Sequence, residues 1–249
     1  MATSFGALCT DFYVNQKLAL KMDLPGERES VLHFFDRVRK TVPAMKRFRR
    51  YSDELALESS RREASYSWLA LRRNSIRSGH VNPDTMEQAH KLHKLILQTS
   101  PYHLDLSPLD VDYFELLYGF DLESSGNHDE LVHEALLEGS PLAKLLDMNG
   151  AKVLDVQPVL GVSLNESGSL QAYFEAKTRP RSRRGSAKAY RGEPISLTLS
   201  LRQYGPIDHV DDLVPQYDQL AQRAEALATE KFIPDFLTPV ARLITSSSS

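Results

Sequence analysis

A chain of 249 residues with 41% hydrophobic and 25% charged residues has the composition of one large globular domain or two small ones. The formal net charge of -3 excludes a uniformly basic protein, and no apolar run approaches the roughly 18 residues of a membrane span. The single cysteine, Cys9, excludes an internal disulfide framework, and the first residues lack the basic start of a secretory signal, so we expect a cytoplasmic protein.

The first part of the chain predicts five elements in the order strand, helix, strand, strand, helix. They are a strand at 5–22, a helix at 27–42, strands at 47–58 and 64–76, and a helix at 82–98. Pro43 ends the first helix, Pro83 lies near the start of the second, and Pro101 follows its end.

The second part of the chain predicts a similar order with one more strand. Its elements are a strand at 111–122, a helix at 127–147 interrupted near Gly139, strands at 152–163, 169–178 and 194–204, and a helix at 210–231. Alternation from Ile195 to Leu201 predicts a strand with one buried face, and the long loop before it indicates an edge strand open to pairing with a second copy. Pro234 and Pro239 punctuate the last stretch, and we expect the tail 246–249 to be disordered.

This order of elements predicts an α+β fold made of two similar halves, 1–104 and 105–245, each an antiparallel sheet with helices packed on one face. The repeated strand–helix–strand–strand order resembles the module that occurs twice in GyrI-like small-molecule-binding domains and in SOUL-type haem-binding domains. The resemblance lies in element order and carries no site residue with it.

Two groups of side chains are candidate metal ligands. His90 and His93 are three residues apart on a predicted helix, and Asp129 and His133 are four apart on the next, so each pair could face one ion. The alternative for the first pair is two exposed helix residues. For the second, Asn127 caps the helix and Asp129 complements its dipole. These alternatives carry more weight, so we predict no metal site and no cofactor.

Catalytic motifs are absent from the sequence. It contains no GxGxxG, no GK[ST] and no GxSxG. Asp110 and Asp112, two apart on a predicted strand, would share a face, and His103 is the one candidate haem ligand. Because a solvated strand edge and a hinge histidine explain these residues as well, we expect a non-catalytic protein.

Charge is segregated along the chain. Between Lys94 and Lys144 there is no Lys or Arg, whereas the loop 178–192 carries six basic residues and no acid. We therefore predict an interaction or structural protein, a homo-oligomer or one that docks a protein partner, through opposite charges. The candidate basic residues are Arg179, Arg181, Arg183, Arg184, Lys188 and Arg191, and the candidate acidic residues are Asp110, Asp112, Asp121 and Glu123.

Two other functions remain open. Further basic clusters at 37–50 and 61–77 could join the loop in one nucleic-acid-binding face, with Tyr51, Tyr66 and Tyr190 stacking on bases. A small ligand could instead bind between the two halves, and the aromatic residues proposed to line that pocket are Trp68, Tyr113, Phe114 and Tyr173.

Overall fold

The structure, a computed structural model, describes residues 5–24, 28–178 and 193–247. The fold is α+β, with a large antiparallel sheet and helices, as the sequence predicts. The strands are β1 Asp11–Leu20, β2 Arg47–Arg50, β3 Glu54–Glu58, β4 Tyr66–Arg72, β5 Ser75–Val81, β6 Val111–Leu122, β7 Val159–Ser163, β8 Leu170–Lys177 and β9 Ile195–Tyr204. The helices are α1 Arg28–Thr41, α2 Met86–His103, α3 His128–Leu137, α4 Leu213–Leu227 and α5 Thr238–Ser247, with a π-helical stretch, Ala228–Leu237, between the last two.

One sheet of nine strands contains both parts of the chain. The strand order is β2-β3-β4-β5-β1-β6-β9-β8-β7, and every neighbouring pair is antiparallel. At its centre, β1 pairs with β6 in a register that sets Val14 opposite Tyr118. The hydrogen-bonded β1–β6 ladder therefore joins residues 1–104 to residues 105–245.

The helices cover one face of this sheet, which we call the helix-covered face. Because successive side chains of a strand point to opposite faces, Phe12 and Val14 of β1 lie on the same face as Phe120 of β6. All three side chains are fully buried, and the Phe120 ring lies 5.3 Å from the ring of Phe232 in the π-helical stretch. The other face, which we call the open face, carries the intervening side chains of the same strands, some buried and others half-buried.

The predicted strand at 64–76 is two strands, because β4 and β5 form a hairpin that turns at Arg73 and Asn74. The reversal places Ser75 opposite Arg72, where one longer strand had been expected. The predicted strand at 152–163 is also shorter, since the strand β7 spans only Val159–Ser163.

The prediction of an edge strand at 194–204 is wrong. In the sheet β9 lies between β6 and β8, and every residue from Ile195 to Leu201 is buried. Ser196, Thr198 and Ser200 therefore lie inside a crowded part of the open face instead of in solvent. The two edges of the sheet are β2 and β7.

Pro43 lies beyond the end of α1, as the sequence predicts, whereas Pro101 and Pro234 lie inside helical segments. Pro101 lies in the last turn of α2, which continues to His103. Pro234 lies in the π-helical stretch, where backbone bonding shifts from i→i−4 to i→i−5, and the helical backbone continues through α5. That last helix includes Ser246 and Ser247, the first residues of the tail expected to be disordered. Among the described residues, no helix combines the length and the apolar character needed to cross a membrane.

Candidate functional site

The predicted basic loop lies outside the described residues, because Arg179, Arg181, Arg183, Arg184, Lys188 and Arg191 all fall within 179–192. The predicted acidic residues lie in two pairs at the two ends of β6. Asp110 and Asp112 flank its start, and Asp121 and Glu123 flank its end. At roughly 3.3 Å per residue, the two pairs are about 30 Å apart, so they do not form one surface.

Asp110 and Asp112 do not share a strand face. Asp110 ends a 3-10 turn, Pro108–Asp110, where its carboxylate accepts a hydrogen bond of 2.8 Å from the backbone N–H of Ser107. At the other end of β6, Asp121 accepts a hydrogen bond of 2.7 Å from the hydroxyl of Ser196. These carboxylates cap and bridge local structure, and they do not form the pair that acid–base chemistry needs.

The helix histidines are held by other protein groups. Nδ1 of His93 lies 2.8 Å from the hydroxyl of Ser78, and its Nε2 lies 3.2 Å from the carbonyl oxygen of Val14. His90 contacts the hydroxyl of Tyr217 through Nδ1 and a carboxylate oxygen of Glu225 through Nε2. The two rings therefore have separate partners and face no common ion.

The acidic group on α3 is also engaged. Asp129 accepts hydrogen bonds from the backbone N–H of Val156 at 3.0 Å and the hydroxyl of Thr178 at 2.6 Å. His103, the candidate haem ligand, packs with its ring 6.1 Å from that of Phe34. Within 5–24, 28–178 and 193–247, no group of three or more His, Cys, Asp or Glu side chains could hold a metal ion.

The aromatic residues expected to line a ligand pocket lie on both faces of the sheet. Phe114 is on the helix-covered face, with its ring 5.8 Å from that of Tyr217. Trp68, Tyr113 and Tyr173 are on the open face. A nine-stranded sheet separates Phe114 from the other three, so the four side chains cannot line one cavity.

Aromatic rings on the open face lie flat across glycines of the neighbouring strand. The indole of Trp68 covers Gly79, its cross-strand partner, where an added Cβ would lie 2.3 Å from the indole nitrogen. The ring of Tyr13 covers Gly119 in the same way, at 2.0 Å from an added Cβ. Because the glycines have no side chain, both rings can lie close against the backbone of the neighbouring strand.

Cationic side chains lie over these open-face aromatic rings. The guanidinium of Arg77 is 5.8 Å from the Trp68 ring, and that of Arg202 is 4.7 Å from the ring of Tyr173. The ammonium of Lys17 is 4.8 Å from the centre of the Tyr113 ring. Cation–π contacts of this kind stabilise the cations beside the rings and keep them at the surface.

Charge divides between the two parts of the chain. Residues 1–104 contain 17 Lys and Arg and 11 Asp and Glu, a net charge of +6, and the remainder has a net charge of -9. The cationic residues of the first part that lie on the open face are Lys17, Arg47, Arg49, Arg72 and Arg77, against the acids Asp11, Glu54 and Glu58. The open face of the first part therefore carries an excess of positive charge.

Only some of that positive charge is paired. Arg72 donates to Glu54 at 2.8 Å, and in the second part of the chain Arg202 donates to Glu115. Arg49 and Arg77 form no ion pair with any acid in the described part of the chain. Tyr66, two residues before Trp68 on β4, shares this face, whereas Tyr190 lies outside the described residues.

The sequence named Trp68, Tyr66 and several arginines of this surface, but it missed Tyr13 and the glycines. Their signal is the cross-strand pairing of Tyr13 with Gly119 and of Trp68 with Gly79. The first pairing joins residues far apart in the chain, and the second depends on a hairpin whose turn the sequence did not predict.

A separate cleft of about 1060 Å³ opens between α2 and the start of β4. Its wall includes His80, which is buried and contacts the hydroxyl of Ser65 through Nε2 at 3.2 Å. Burial is the main cause that lowers the pKa of His80 below its ordinary value. The cleft therefore presents a neutral imidazole at neutral pH.

Fold and site together define the chain as an α+β protein with one helix-covered sheet face and a second, aromatic and basic face on which no described helix packs. No protein-family model matches the sequence, and comparison with curated proteins finds no match.

Proposed function

We propose that the protein is a non-catalytic binding protein that holds a single-stranded nucleic acid on the open face of its sheet. The observation that carries the proposal is the indole of Trp68, which lies over Gly79 with the guanidinium of Arg77 beside it. Proteins that bind single strands combine stacking platforms of this kind with positive charge that follows the phosphate backbone.

The positions of the rings suit successive bases. Trp68 is on β4 and covers β5, whereas Tyr13 is on β1 and covers β6, so the rings are two strands apart in the sheet, about 10 Å. At this separation the two rings are distinct positions in the sheet, one for each of two bases. Base–aromatic stacking contributes about 1–3 kcal/mol per base.

The cations beside the rings suit phosphate groups. Arg77 lies at the Trp68 ring, and Arg47 and Arg49 lie on the same face of the edge strand β2. The net charge of +6 on residues 1–104 attracts an anionic polymer to this part of the sheet. Arginine can also stack on a base with its planar guanidinium.

The sequence prediction that opposite charges dock a protein partner stays a prediction. The contrast between +6 and -9 supports it, while the separation of the acidic pairs along β6 weakens the particular surface first suggested. The two-half organisation is also retained as a proposal, because in each part the first strand pairs with the last, β1 with β5 and β6 with β9. The resemblance of this element order to GyrI-like and SOUL-type domains likewise remains a proposal.

The single tryptophan offers a direct test. Trp68 is the only indole in the chain, so stacking of a base on it should quench the intrinsic fluorescence. We expect single-stranded oligonucleotides to quench the signal saturably at low salt and the apparent affinity to fall as salt rises. Absence of quenching and of retention of a labelled oligonucleotide at low salt would remove the proposal.

Matched charge reversals give the control. Arg77→Glu changes the open face, whereas Arg37→Glu makes the same change on an exposed residue of α1, in the helix layer. We expect the affinity for a labelled oligonucleotide to fall at least about tenfold in the first variant and much less in the second. Equal losses would indicate a general charge effect and contradict a site on the open face.

A further inference from the structure

Within the described residues, the strand β7, Val159–Ser163, is an edge of the sheet that no other strand covers. It has β8 as its one neighbour in the strand order, and its five residues carry no charge and no proline. Val159 and Leu160 are each 59% exposed. Natural sheets usually protect such an edge with charges, prolines or bulges, because free strand edges pair with other chains.

The backbone of β7 shows which groups face outward. Leu164 donates its N–H to Leu170, and Pro158 accepts from the N–H of Ala176, so the even-numbered residues form the hydrogen-bonded pairs with β8. By the alternation of an antiparallel ladder, the N–H and C=O groups of Val159, Gly161 and Ser163 point away from β8. In the described part of the chain no backbone group bonds to them.

The opposite edge is protected. The strand β2 has the sequence Arg47-Phe48-Arg49-Arg50, and all four residues are exposed. Two copies of β2 brought together would place arginines beside arginines, and like charges on paired strands are destabilising. Charge therefore leaves β7 as the edge open to a second copy.

We propose that the protein forms a two-fold symmetric dimer in which β7 pairs antiparallel with β7 of a second copy, centred on Gly161. In this register Val159 lies opposite the partner subunit's Ser163, and Gly161 lies opposite the partner subunit's Gly161. Each of these pairs exchanges two hydrogen bonds, so the outward groups of all three residues are satisfied. Val159 and Leu160 lose contact with water as the strands join.

The two-fold symmetry of this pairing, together with the charge on β2, fixes the size of the assembly at two subunits. Once β7 pairs with its copy, the outer edges of the combined sheet are both β2, with Arg47, Arg49 and Arg50 on each. A symmetric interface uses the same surface on both subunits and closes at two, whereas pairing of β7 with β2 of the next copy would continue without limit.

The experiment measures mass by sedimentation across about 0.1 to 100 μM protein, the range of ordinary reversible dimers. We expect a shift from the chain mass of 28.1 kDa to twice that mass, with no larger species. Amide hydrogen exchange in the same series should show Val159, Gly161 and Ser163 becoming protected as concentration rises. A protein that stays monomeric, or one that grows beyond the dimer, overturns the proposal.

The test variant is Val159→Lys, on the β7 edge. The matched control is Leu109→Lys, which adds the same charge at a leucine that is 78% exposed in the Pro108–Asp110 turn. Val159→Lys should raise the dissociation constant at least tenfold, whereas Leu109→Lys should leave it unchanged. Circular dichroism and urea unfolding check that both variants fold. A folded Val159→Lys protein that dimerises as tightly as the control contradicts the β7 interface, and neither result depends on nucleic-acid binding.

Discussion

The two faces of the sheet come from the same strands yet have opposite characters, and β6 shows the contrast within one element. Its side chains Phe114, Leu116 and Phe120 are buried under helices, while Glu115 and Leu117, on the other face, are half-buried. The strand alternation that hides one set exposes the other. A single sheet can therefore use one face for stability and leave the other free for binding.

The contrast teaches that aromatic residues have two distinct uses here. On the helix-covered face rings pack against one another, as Phe120 does edge to face against Phe5 with centroids 6.1 Å apart. On the open face, Trp68 and Tyr13 lie over glycines of the neighbouring strand. Packing geometry separates the two uses more clearly than residue type does.

The largest expected effect comes from truncating one side chain on each face of β6. Phe120→Ala removes a fully buried ring whose centroid lies 5.1 Å from that of the Phe12 ring. We expect a loss of about 3–5 kcal/mol in the free energy of unfolding. Leu117→Ala, on the open face of the same strand, should cost only about 1 kcal/mol. Urea unfolding of both variants measures the difference. Equal losses would show that side chains on the open face contribute as much to the free energy of unfolding as those of the buried core.

A smaller effect is expected from filling the space under a flat ring. In Gly119→Ala the new Cβ would lie 2.0 Å from the Tyr13 ring, which must lift from the sheet, at a cost of about 1–3 kcal/mol. In a Tyr13→Ala background the same substitution should cost little, because the ring is gone. A double-mutant cycle measures this coupling. Additive losses would mean that the ring does not lie on the glycine.

The smallest expected effect concerns pH and the polar groups hidden on the helix-covered face. Burial, reinforced by repulsion from His90 and His80, lowers the pKa of His93 to about 3. An unfolded histidine takes up a proton near pH 6.5, and the folded one does not, so the free energy of unfolding falls as pH drops below about 6.5. By pH 5 this loss reaches about 2 kcal/mol if the group is shielded throughout.

The variant His93→Gln should be less stable at neutral pH, because Ser78 loses its ring partner, yet its stability should fall less between pH 7 and 5. His33→Gln, on the exposed side of α1, is the control for removing a histidine. Urea unfolding at both pH values gives the comparison. The same acid-induced loss in the His93 variant as in the control would contradict a neutral, shielded imidazole.

The sequence by itself determined the α+β class, the β6 strand at 111–122 and the capping of α3, where Asn127 accepts a hydrogen bond from the backbone N–H of Asp129 at 3.3 Å. These features depend on alternation and on contacts between near neighbours in the chain, so a local pattern is enough to specify them. Local pattern misled where tertiary packing overrides it, as at Pro101 inside α2 and Pro234 inside the last helical stretch.

Only the tertiary structure decided which strands are edges, which face of the sheet the helices cover and which rings contact which glycines. The sequence placed an edge at β9, but the long crossover from β6 to β7 lets β8 and β9 fold back, so β9 lies between β6 and β8 and β7 is left outermost. The Trp68–Gly79 and Tyr13–Gly119 contacts follow from the same strand order. Strand order is set by the total apolar area that the whole chain buries, and no short segment contains that information.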